Sequence, residues 1–371
     1  MDVSKMPKLG FGLMRLPEKD EKIDYDHACK MVDAYMNTGM NYFDTAYVYH
    51  GGNSERMVKE AIVKRYDRDK FTVASKLPAW EIRSMEDRDR VFNEQLERTG
   101  LEFFDYYLLH SLEDGHNYEV YEKFDCFNWG INKREEGKIK HLGFSFHGTP
   151  ELLETVLDKH PEIEFVQIQL NYADWDNKLV HSGKLYDILL KRNIPMIIME
   201  PVKGGTLASM APELEAMFKE ANPDASIASW ALRFVGSLPG VVTILSGMSN
   251  MEQVEDNLKT FTDFKALDEN EKRVIDAVVT KMLDLPLIPC TGCRYCCDGC
   301  PAKISIPDIF NAVNTLRKFP GDNRPRFFYN GLINRSGKAS DCLSCGQCER
   351  VCPQHLPIID LMKEASEILD K

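Results

Sequence analysis

Long apolar runs are missing from this sequence of 371 residues, which contains no stretch of eighteen consecutive apolar residues. A membrane-spanning helix needs about 20 such residues, so the composition argues against a helical membrane span and a membrane partner. The first ten residues, MDVSKMPKLG, lack the apolar segment of a secretory signal peptide. We therefore expect a soluble, cytoplasmic protein.

An excess of positive charge is missing as well. The formal net charge is -12 at pH 7, and a surface of this sign repels the phosphates of nucleic acids and anionic lipids. No nucleic-acid partner is therefore expected. Low-complexity segments are also lacking, and a hydrophobic content of 43% in a chain of this length is enough for a barrel-sized domain and a smaller second one.

Cysteine, by contrast, is abundant, and eight of the eleven cysteines fall in two copies of one spacing near the C-terminal end. The two runs are Cys290-x2-Cys293-x2-Cys296-x3-Cys300-Pro301 and Cys342-x2-Cys345-x2-Cys348-x3-Cys352-Pro353. Inside a cell, dense thiols indicate cofactor binding rather than disulfides. Structural zinc is the alternative, but zinc commonly takes its ligands in two pairs rather than in one tight run.

Both runs resemble those that hold [4Fe–4S] clusters in two-cluster bacterial ferredoxins, where the fourth cysteine of each run binds the other cluster. The resemblance implies two [4Fe–4S] clusters with crossed ligands. One cluster would take Cys290, Cys293, Cys296 and Cys352, and the other Cys342, Cys345, Cys348 and Cys300. The 41 residues between the runs are too many for a compact ferredoxin loop. They predict a mainly helical module, with helices after Ser305 and over 356–369.

Eight short, mostly apolar segments alternate with helix-length amphipathic segments through the first 260 residues. The predicted strands are 8–14, 41–46, 71–77, 105–110, 141–146, 165–170, 195–200 and 241–246. Strands that are apolar on both faces are typical of parallel sheets, and eight βα units predict an α/β fold, the (β/α)8 TIM barrel. A further helix is predicted after Asp268, and Pro286 and Pro289 end it. We therefore predict a barrel domain at 1–284 and a small, mainly α-helical, ferredoxin-like iron–sulfur domain at 285–371.

Polar side chains follow three successive predicted strands. Asp44 and Tyr49 come after the second strand, Lys76 ends the third, and His110 ends the fourth. From about residue 8 to 262 the chain resembles the aldo-keto reductase family, through LGFGLMRLP (9–17), NYFDTAYVYHGGNSE (41–55), TVASK (72–76), DYYLLH (105–110), GFSFH (143–147) and VQIQLNY (166–172). The resemblance implies nicotinamide-dependent reduction of a carbonyl, or oxidation of an alcohol, on a small-molecule substrate. The catalytic residues would be Asp44, Tyr49, Lys76 and His110.

General chemistry gives each of these four residues a role. Hydride reduction of a carbonyl produces an alkoxide, which must be protonated as it forms. A tyrosine of pKa near 10 is a slow acid at pH 7, and a neighbouring ammonium lowers that pKa. We therefore predict Tyr49 as the general acid or base, with Lys76 lowering its pKa and Asp44 holding Lys76. His110 would orient the carbonyl oxygen against Tyr49.

The same resemblance implies contacts to NAD(H) or NADP(H). The matched positions are Ser145, Gln167 and Met199 at the nicotinamide, and Gly247, Met248, Gln253 and Asn257 in the loop SGMSNMEQVEDN (246–257) after the last strand. Many members of the family have Lys and Arg where this chain has Gly247 and Gln253. Tight binding of the 2′-phosphate of NADP(H) relies on such cations. We therefore expect no strong selectivity for NADP(H), so that NAD(H) is an alternative cofactor. Lys203, after the seventh strand, is a candidate substitute cation.

The charge is unevenly distributed, because residues 290–371 carry a net +2 and the rest of the chain a net -14. Compensation for two anionic clusters accounts for the basic excess. The alternative is a docking face for an acidic electron carrier such as ferredoxin or flavodoxin. The cations concerned are Arg317, Lys318, Arg324, Arg326, Arg335 and Lys338.

A second function also remains open from the sequence. The chain would then be an electron-transfer protein that passes single electrons between the clusters, a carrier and a redox substrate in the barrel. The sequence shows no flavin fingerprint that would split a hydride pair into single electrons.

Overall fold

The computed structural model describes residues 1, 5–113, 116–177, 180–283, 285–290, 292–321 and 323–370. In chain order its strands are β1 (Leu9–Gly12), β2 (Glu18–Lys19), β3 (Lys22–Ile23), β4 (Tyr42–Asp44), β5 (Thr72–Pro78), β6 (Phe104–Leu112), β7 (Ile139–Phe146), β8 (Phe165–Gln169), β9 (Met196–Met199) and β10 (Val241–Gly247). Eight of them form a closed parallel barrel in the order β1-β10-β9-β8-β7-β6-β5-β4. The predicted TIM barrel is confirmed, and each predicted strand overlaps an observed one.

Helices follow the barrel strands and continue through the C-terminal part of the chain. They are α1 (Tyr25–Met36), α2 (Asn53–Val58), α3 (Met85–Thr99), α4 (His116–Lys123), α5 (Cys126–Glu135), α6 (Pro150–Lys159), α7 (Ser182–Lys191), α8 (Pro212–Ala221), α9 (Ile227–Gly236), α10 (Met251–Thr262), α11 (Glu269–Leu283), α12 (Tyr295–Asp298), α13 (Ile306–Lys318), α14 (Arg324–Leu332), α15 (Gln347–Arg350) and α16 (Ile358–Leu369). Among the described residues, none of the helices is both long and apolar enough to cross a membrane.

Helix α6 shows how the sequence sets these elements. Thr149 caps its N-terminus, since the Thr149 hydroxyl accepts a hydrogen bond from the backbone N–H of Leu152. Pro150 occupies the first turn, where a missing N–H costs nothing. Leu153 and Val156 then lie three residues apart on the buried face, so the helix packs one apolar stripe against the barrel wall.

The inside of the barrel is filled by side chains rather than left open. Tyr42, Tyr106 and Phe165 form an aromatic layer with small and aliphatic neighbours from other strands. Gly143 on β7 permits this packing, because a Cβ there would lie 2.6 Å from the carbonyl oxygen of Phe165. With the interior closed, the polar side chains at the C-terminal strand ends have a solid floor beneath them.

The hairpin of β2 and β3 is an element that the sequence analysis missed. Its two-residue turn, Asp20 and Glu21, has φ values of 51° and 61°. A turn with two positive φ angles is of the kind usually built from Asn or Gly. The charged pair Asp-Glu therefore gave no turn signal.

The chain divides into two compact units. One contains Met1–Gly204 and Ser229–Glu269, and with them the barrel; the other contains Gly205–Ala228 and Asn270–Lys371. Residue 284, where the predicted domain boundary falls, lies outside the described residues. The division into 1–284 and 285–371 therefore stays a prediction.

The second unit is mainly helical, as predicted. Its core is formed by the apolar faces of α13 and α16, with Ile309, Phe310 and Met362 fully buried. Helix α13 begins directly after Ser305, and α16 begins two residues after the predicted start at 356. Six of the eight cysteines of the two runs belong to this core or pack against it, namely Cys290, Cys296, Cys300, Cys342, Cys348 and Cys352.

Candidate active site and metal centres

The four predicted catalytic residues come together at the C-terminal ends of β4, β5 and β6. Asp44 is the last residue of β4, and Tyr49 begins the 3-10 turn Tyr49–Gly52 that follows it. Lys76 lies in β5 and His110 in β6. The pairing of β6 with β7 is irregular next to His110, between Leu109 and Leu112. Bulges of this kind re-aim side chains beside active sites.

The ammonium group of Lys76 is the centre of this arrangement. It donates to Asp44 Oδ1 at 2.7 Å, to the Thr45 carbonyl at 2.8 Å and to the Tyr49 hydroxyl at 3.4 Å. Its side chain is only 1% exposed. An ammonium has three N–H donors, so all three are used and the charge is fixed in place.

Burial and charge act against each other on the pKa values of these groups. Burial alone would lower the pKa of Lys76, but Asp44 and Tyr49 outweigh it, so the Lys76 pKa is raised and the ammonium stays charged. For Tyr49, burial raises the pKa and Lys76 lowers it, and burial wins. Lys76 therefore acts in the predicted direction, but the net pKa of Tyr49 is raised because burial removes the water that would solvate a phenolate.

His110 is held as a neutral imidazole. Burial, followed by the positive charges near it, lowers its pKa well below 6.5. Its ring stands edge-on to Tyr49, with centroids 6.2 Å apart, and lies 5.2 Å from the ring of Trp80. The hydroxyl of Tyr121 is 2.7 Å from the carbonyl oxygens of both Leu77 and His110, and so ties the ends of β5 and β6 together.

A buried polar network behind Lys76 was missed by the sequence analysis. Glu55 accepts hydrogen bonds from Ser75 at 2.9 Å and from the Gln95 amide at 2.7 Å. The Gln95 amide also lies 3.1 Å from the carbonyl oxygen of Lys76, and Arg98 pairs with Glu55 at 3.2 Å. The network therefore fixes the backbone of β5 at Lys76. Its signal in the sequence was a polar residue on a buried helical stripe, since Gln95 follows Val91 by one turn.

Two predicted nicotinamide contacts are neighbours on adjacent strands, because Ser145 of β7 pairs in register with Gln167 of β8. The Ser145 hydroxyl accepts from the backbone N–H of Ser111 at 2.8 Å and keeps its own proton to donate. Gln167 donates to the Met199 sulfur at 3.5 Å, whereas its Oε1 is buried without a partner among the described residues. One free donor and one free acceptor match the oxygen and the NH2 of a carboxamide. These residues therefore fit a nicotinamide.

Side chains of the segment after β10 are buried or form hydrogen bonds within residues 246–257. Met248 is fully buried, and the Asn257 amide donates to the hydroxyl of Ser246 at 2.8 Å. The side chain of Gln253 accepts from the backbone N–H of Ser249 at 2.7 Å. Gly247 and Gln253 are exposed, whereas Met248 and Asn257 are buried. The loop itself contributes no cation.

Two cations outside the loop differ in their surroundings. Lys203 donates to both carboxylate oxygens of Asp174, at 2.6 and 2.7 Å, so its ammonium is already engaged. Arg15 instead lies against Gly247, where an added Cβ would come within 3.2 Å of the Arg15 side chain. The guanidinium of Arg15 is 3.9 Å from Glu200. Arg15 is therefore the better placed cation at this loop.

The eight cysteines of the two runs line two cavities. The first cavity is lined by Cys290, Cys293, Cys296 and Cys352, and the second by Cys300, Cys342, Cys345 and Cys348. Each cavity thus takes three thiols from one run and one from the other. This is the crossed grouping that the ferredoxin resemblance implies, although which thiols bind metal stays a prediction.

The donor set and the walls of both cavities suit an iron–sulfur cluster better than a single ion. Apart from the thiols, the walls are mainly apolar, with Phe310 and Leu356 in the first cavity and Ile304 and Met362 in the second. The four thiols of each cavity surround a common volume, as the four ligands of a cubane must.

Two family models match successive parts of the chain. Residues 8–280 match the model of the aldo/keto reductase family, and residues 289–356 match a 4Fe-4S dicluster domain. The relative L-galactose dehydrogenase of Arabidopsis thaliana is 26% identical over 76% of this chain and 93% of its own length. The uncharacterized oxidoreductase YqkF of Bacillus subtilis is 24% identical over 74% of this chain and 95% of its own length.

Solved structures share the fold. The thermostable aldo-keto reductase Tm1743, solved with the inhibitor epalrestat, superposes with a TM-score of 0.61 at 22% identity, over 74% of this chain and 95% of that one. An aldo-keto reductase from Klebsiella pneumoniae, solved in complex with NADPH, gives a TM-score of 0.58 at 21% identity, over 74% and 91% of the two chains.

Proposed function

Because this chain belongs to the aldo/keto reductase family and carries a C-terminal 4Fe-4S dicluster domain, we propose that it is a nicotinamide-dependent oxidoreductase of small carbonyl or alcohol substrates. The observation that carries the proposal is the Lys76 ammonium, buried between the carboxylate of Asp44 and the hydroxyl of Tyr49. A buried cation held against a tyrosine, with a neutral histidine at its ring edge, is suited to proton transfer at an oxygen atom.

The roles of the residues follow from their positions. A bound nicotinamide supplies the hydride to the substrate carbon, or accepts it. Tyr49 donates its hydroxyl proton to the substrate oxygen, and Lys76 stabilises the phenolate that remains. Asp44 keeps Lys76 charged and in place. His110 is neutral, so it orients the same oxygen by a hydrogen bond without bringing a second charge into the site.

Substitution of Tyr49 by Phe tests this proposal. The ring would still pack, but the phenolic proton would be gone, so turnover should fall about 10²- to 10⁴-fold. Nucleotide binding and the cluster absorbance should not change. Tyr186→Phe is the matched control, because that hydroxyl donates to the backbone of Pro239 and not to the site. Near-normal turnover in Tyr49→Phe would mean that another group donates the proton.

We further propose that NAD(H) binds at least as tightly as NADP(H). Gly247 and Gln253 offer no positive charge, and the carboxylate of Glu200 partly offsets the charge of Arg15. A missing charge-assisted phosphate contact is worth about 1.5–3 kcal/mol, or about one to two decades in affinity. Anaerobic titration with NADH and NADPH measures the ratio. A strong NADPH preference that disappears in Arg15→Ala would contradict the proposal and assign the 2′-phosphate to Arg15.

Each of the two thiol-lined cavities is proposed to hold one [4Fe–4S] cluster. The clusters would supply one-electron chemistry beside the hydride chemistry of the barrel, and an acidic carrier such as ferredoxin or flavodoxin would be their partner. Protein purified without oxygen should then contain about eight irons and eight sulfides per chain.

A further inference from the structure

The basic residues that the sequence singled out in the second unit are largely engaged in holding it together. Arg317 pairs with Glu364 and donates to the Pro286 carbonyl. Arg326 donates to the Ile368 carbonyl at 2.6 Å, and Arg324 donates to the hydroxyl of Thr206. A side chain used in this way is not free to meet a partner protein.

Two of the singled-out cations, Arg335 and Lys338, are instead exposed, and so are Lys303 and Arg350 of the same unit. We call Lys303, Arg335, Lys338 and Arg350 the basic rim; none of them makes an ion pair with any residue in the described parts of the chain. Lys303 lies three residues after Cys300, which lines the second cavity. The bridge between Ile304 and Gly337 places Lys303 close to the chain at Lys338.

The remaining members of the basic rim belong to the same region. Arg350 is two residues after Cys348, and Arg335 is two residues before Gly337. The two acids of this stretch, Asp341 and Glu349, accept hydrogen bonds from the backbone N–H groups of Lys338 and Ile359. These hydrogen bonds leave the carboxylate charges in place, so the four cations exceed the two acids by two charges.

Two exposed apolar side chains and one exposed thiol lie in the same part of the chain as the basic rim. Leu343 is 69% exposed and Val351 44% exposed. Leu343 and Cys345 both line the second cavity, and Cys345 is itself exposed. A protein that covers Leu343 would therefore come close to whatever these thiols hold. Apolar centres with polar rims are typical of protein interfaces.

The first cavity lacks this charge pattern. The cation within its cysteine run, Arg294, is bound by both carboxylate oxygens of Asp308, at 2.7 and 2.9 Å. The exposed side chain beside it is Tyr295. The two cavities resemble each other in their thiols, but the rim of the second has unpaired positive charge.

We propose that the basic rim, with Leu343 and Val351, is the docking surface for a one-electron carrier protein with an acidic surface. This inference rests on the proposed clusters, since a carrier would exchange one electron with the group bound by Cys300, Cys342, Cys345 and Cys348. Positive charge around the contact steers an acidic partner to it, and the apolar centre brings the two proteins close. Electrons therefore pass between carrier and protein at the second cavity, not at the first.

The double variant Lys303→Glu and Lys338→Glu tests the surface directly. Binding of an acidic [2Fe–2S] ferredoxin and of an acidic flavodoxin is measured by calorimetry without oxygen at several salt concentrations. The variant should weaken the affinity about tenfold or more at low salt and flatten its dependence on salt. Lys281→Glu is the matched control, a charge reversal on exposed α11 of the same unit, and should bind as the original chain does.

Several outcomes would overturn the proposal. One is that the double variant and the original chain bind the carriers with equal affinity. Another is that neither acidic carrier binds the original chain. A change in cluster potential without a change in affinity would show that the cations only compensate cluster charge. If the double variant loses iron, Arg335→Gln with Arg350→Gln repeats the test on the other half of the rim. Titration of the same samples with NADH tests the proposed nicotinamide site separately, so failure of one is distinguishable from failure of the other.

Discussion

Replacing Lys76 with Met would leave the carboxylate of Asp44 in the interior without its cation. Both side chains are almost fully buried, and the 2.7 Å contact between them is the shortest that Lys76 makes. Removing one partner of such a buried pair costs about 3–5 kcal/mol, mainly because the remaining charge has no water. We expect the free energy of unfolding of the barrel to fall by that amount.

The double variant Lys76→Met with Asp44→Asn separates this effect from simple loss of packing. Because no charge is left buried, the double variant should be more stable than Lys76→Met by about 2 kcal/mol. A lower pH should also reduce the loss of stability in the single variant Lys76→Met. Burial already raises the pKa of Asp44, so the folded state binds the proton more tightly than the unfolded state, and the cost of Lys76→Met should shrink as the pH falls.

Tryptophan fluorescence during anaerobic urea unfolding measures these differences for the barrel alone. The four tryptophans of the chain, Trp80, Trp129, Trp175 and Trp230, all lie in the unit that contains the barrel. Unfolding of the cysteine-rich unit therefore does not enter the signal directly. If the single and double variants unfold at the same urea concentration, the charge of Asp44 is not what Lys76 neutralises, and the reasoning fails.

Two further predictions concern single residues. Because the pKa of His110 lies well below 6.5 while an unfolded histidine takes a proton near that value, His110 contributes stability above about pH 6.5 that is lost below it. The pH profile of kcat/KM should have no limb near 6.5 from this residue, and a limb there that disappears in His110→Gln would contradict the burial argument. Cys352→Ser should lower the iron content from about eight to about four per chain, whereas Cys297→Ser should leave it unchanged, because Cys297 lines neither described cavity. Full iron in Cys352→Ser would exclude the crossed assignment.

Much of the barrel was predictable because its signals are local. Strand-length apolar segments and intervening amphipathic helices are visible within short windows of sequence, and strand ends locate Asp44, Lys76 and His110. The doubled cysteine spacing likewise predicts two four-thiol groups, and the cavities bring together the same residues that the resemblance grouped.

What was not predictable depends on partners distant in sequence. The engagement of Lys203 by Asp174, and of Arg317 by Glu364, requires the folded chain. The net pKa of Tyr49 is set by burial, which a tetrad of residue types does not reveal. The basic rim is similar, since nothing local distinguishes an unpaired Lys303 from a paired Arg317. The sequence therefore shows which residues of the second unit are charged, but not which of them form ion pairs in the folded chain.

The sharing of thiols between the two cysteine runs has a consequence for how the second unit assembles. A group bound by Cys300 and Cys342 closes a loop of 41 intervening residues that contains α13 and α14. Removing that loop's freedom from the unfolded chain is worth about 4 kcal/mol by the chain-entropy estimate for a cross-link of this length. A second group, joining Cys296 to Cys352, adds little further entropy loss because the first has already brought the runs together. Under the proposed crossed assignment, filling of either cavity would therefore promote filling of the other, and α13 and α14 would gain or lose order together with both.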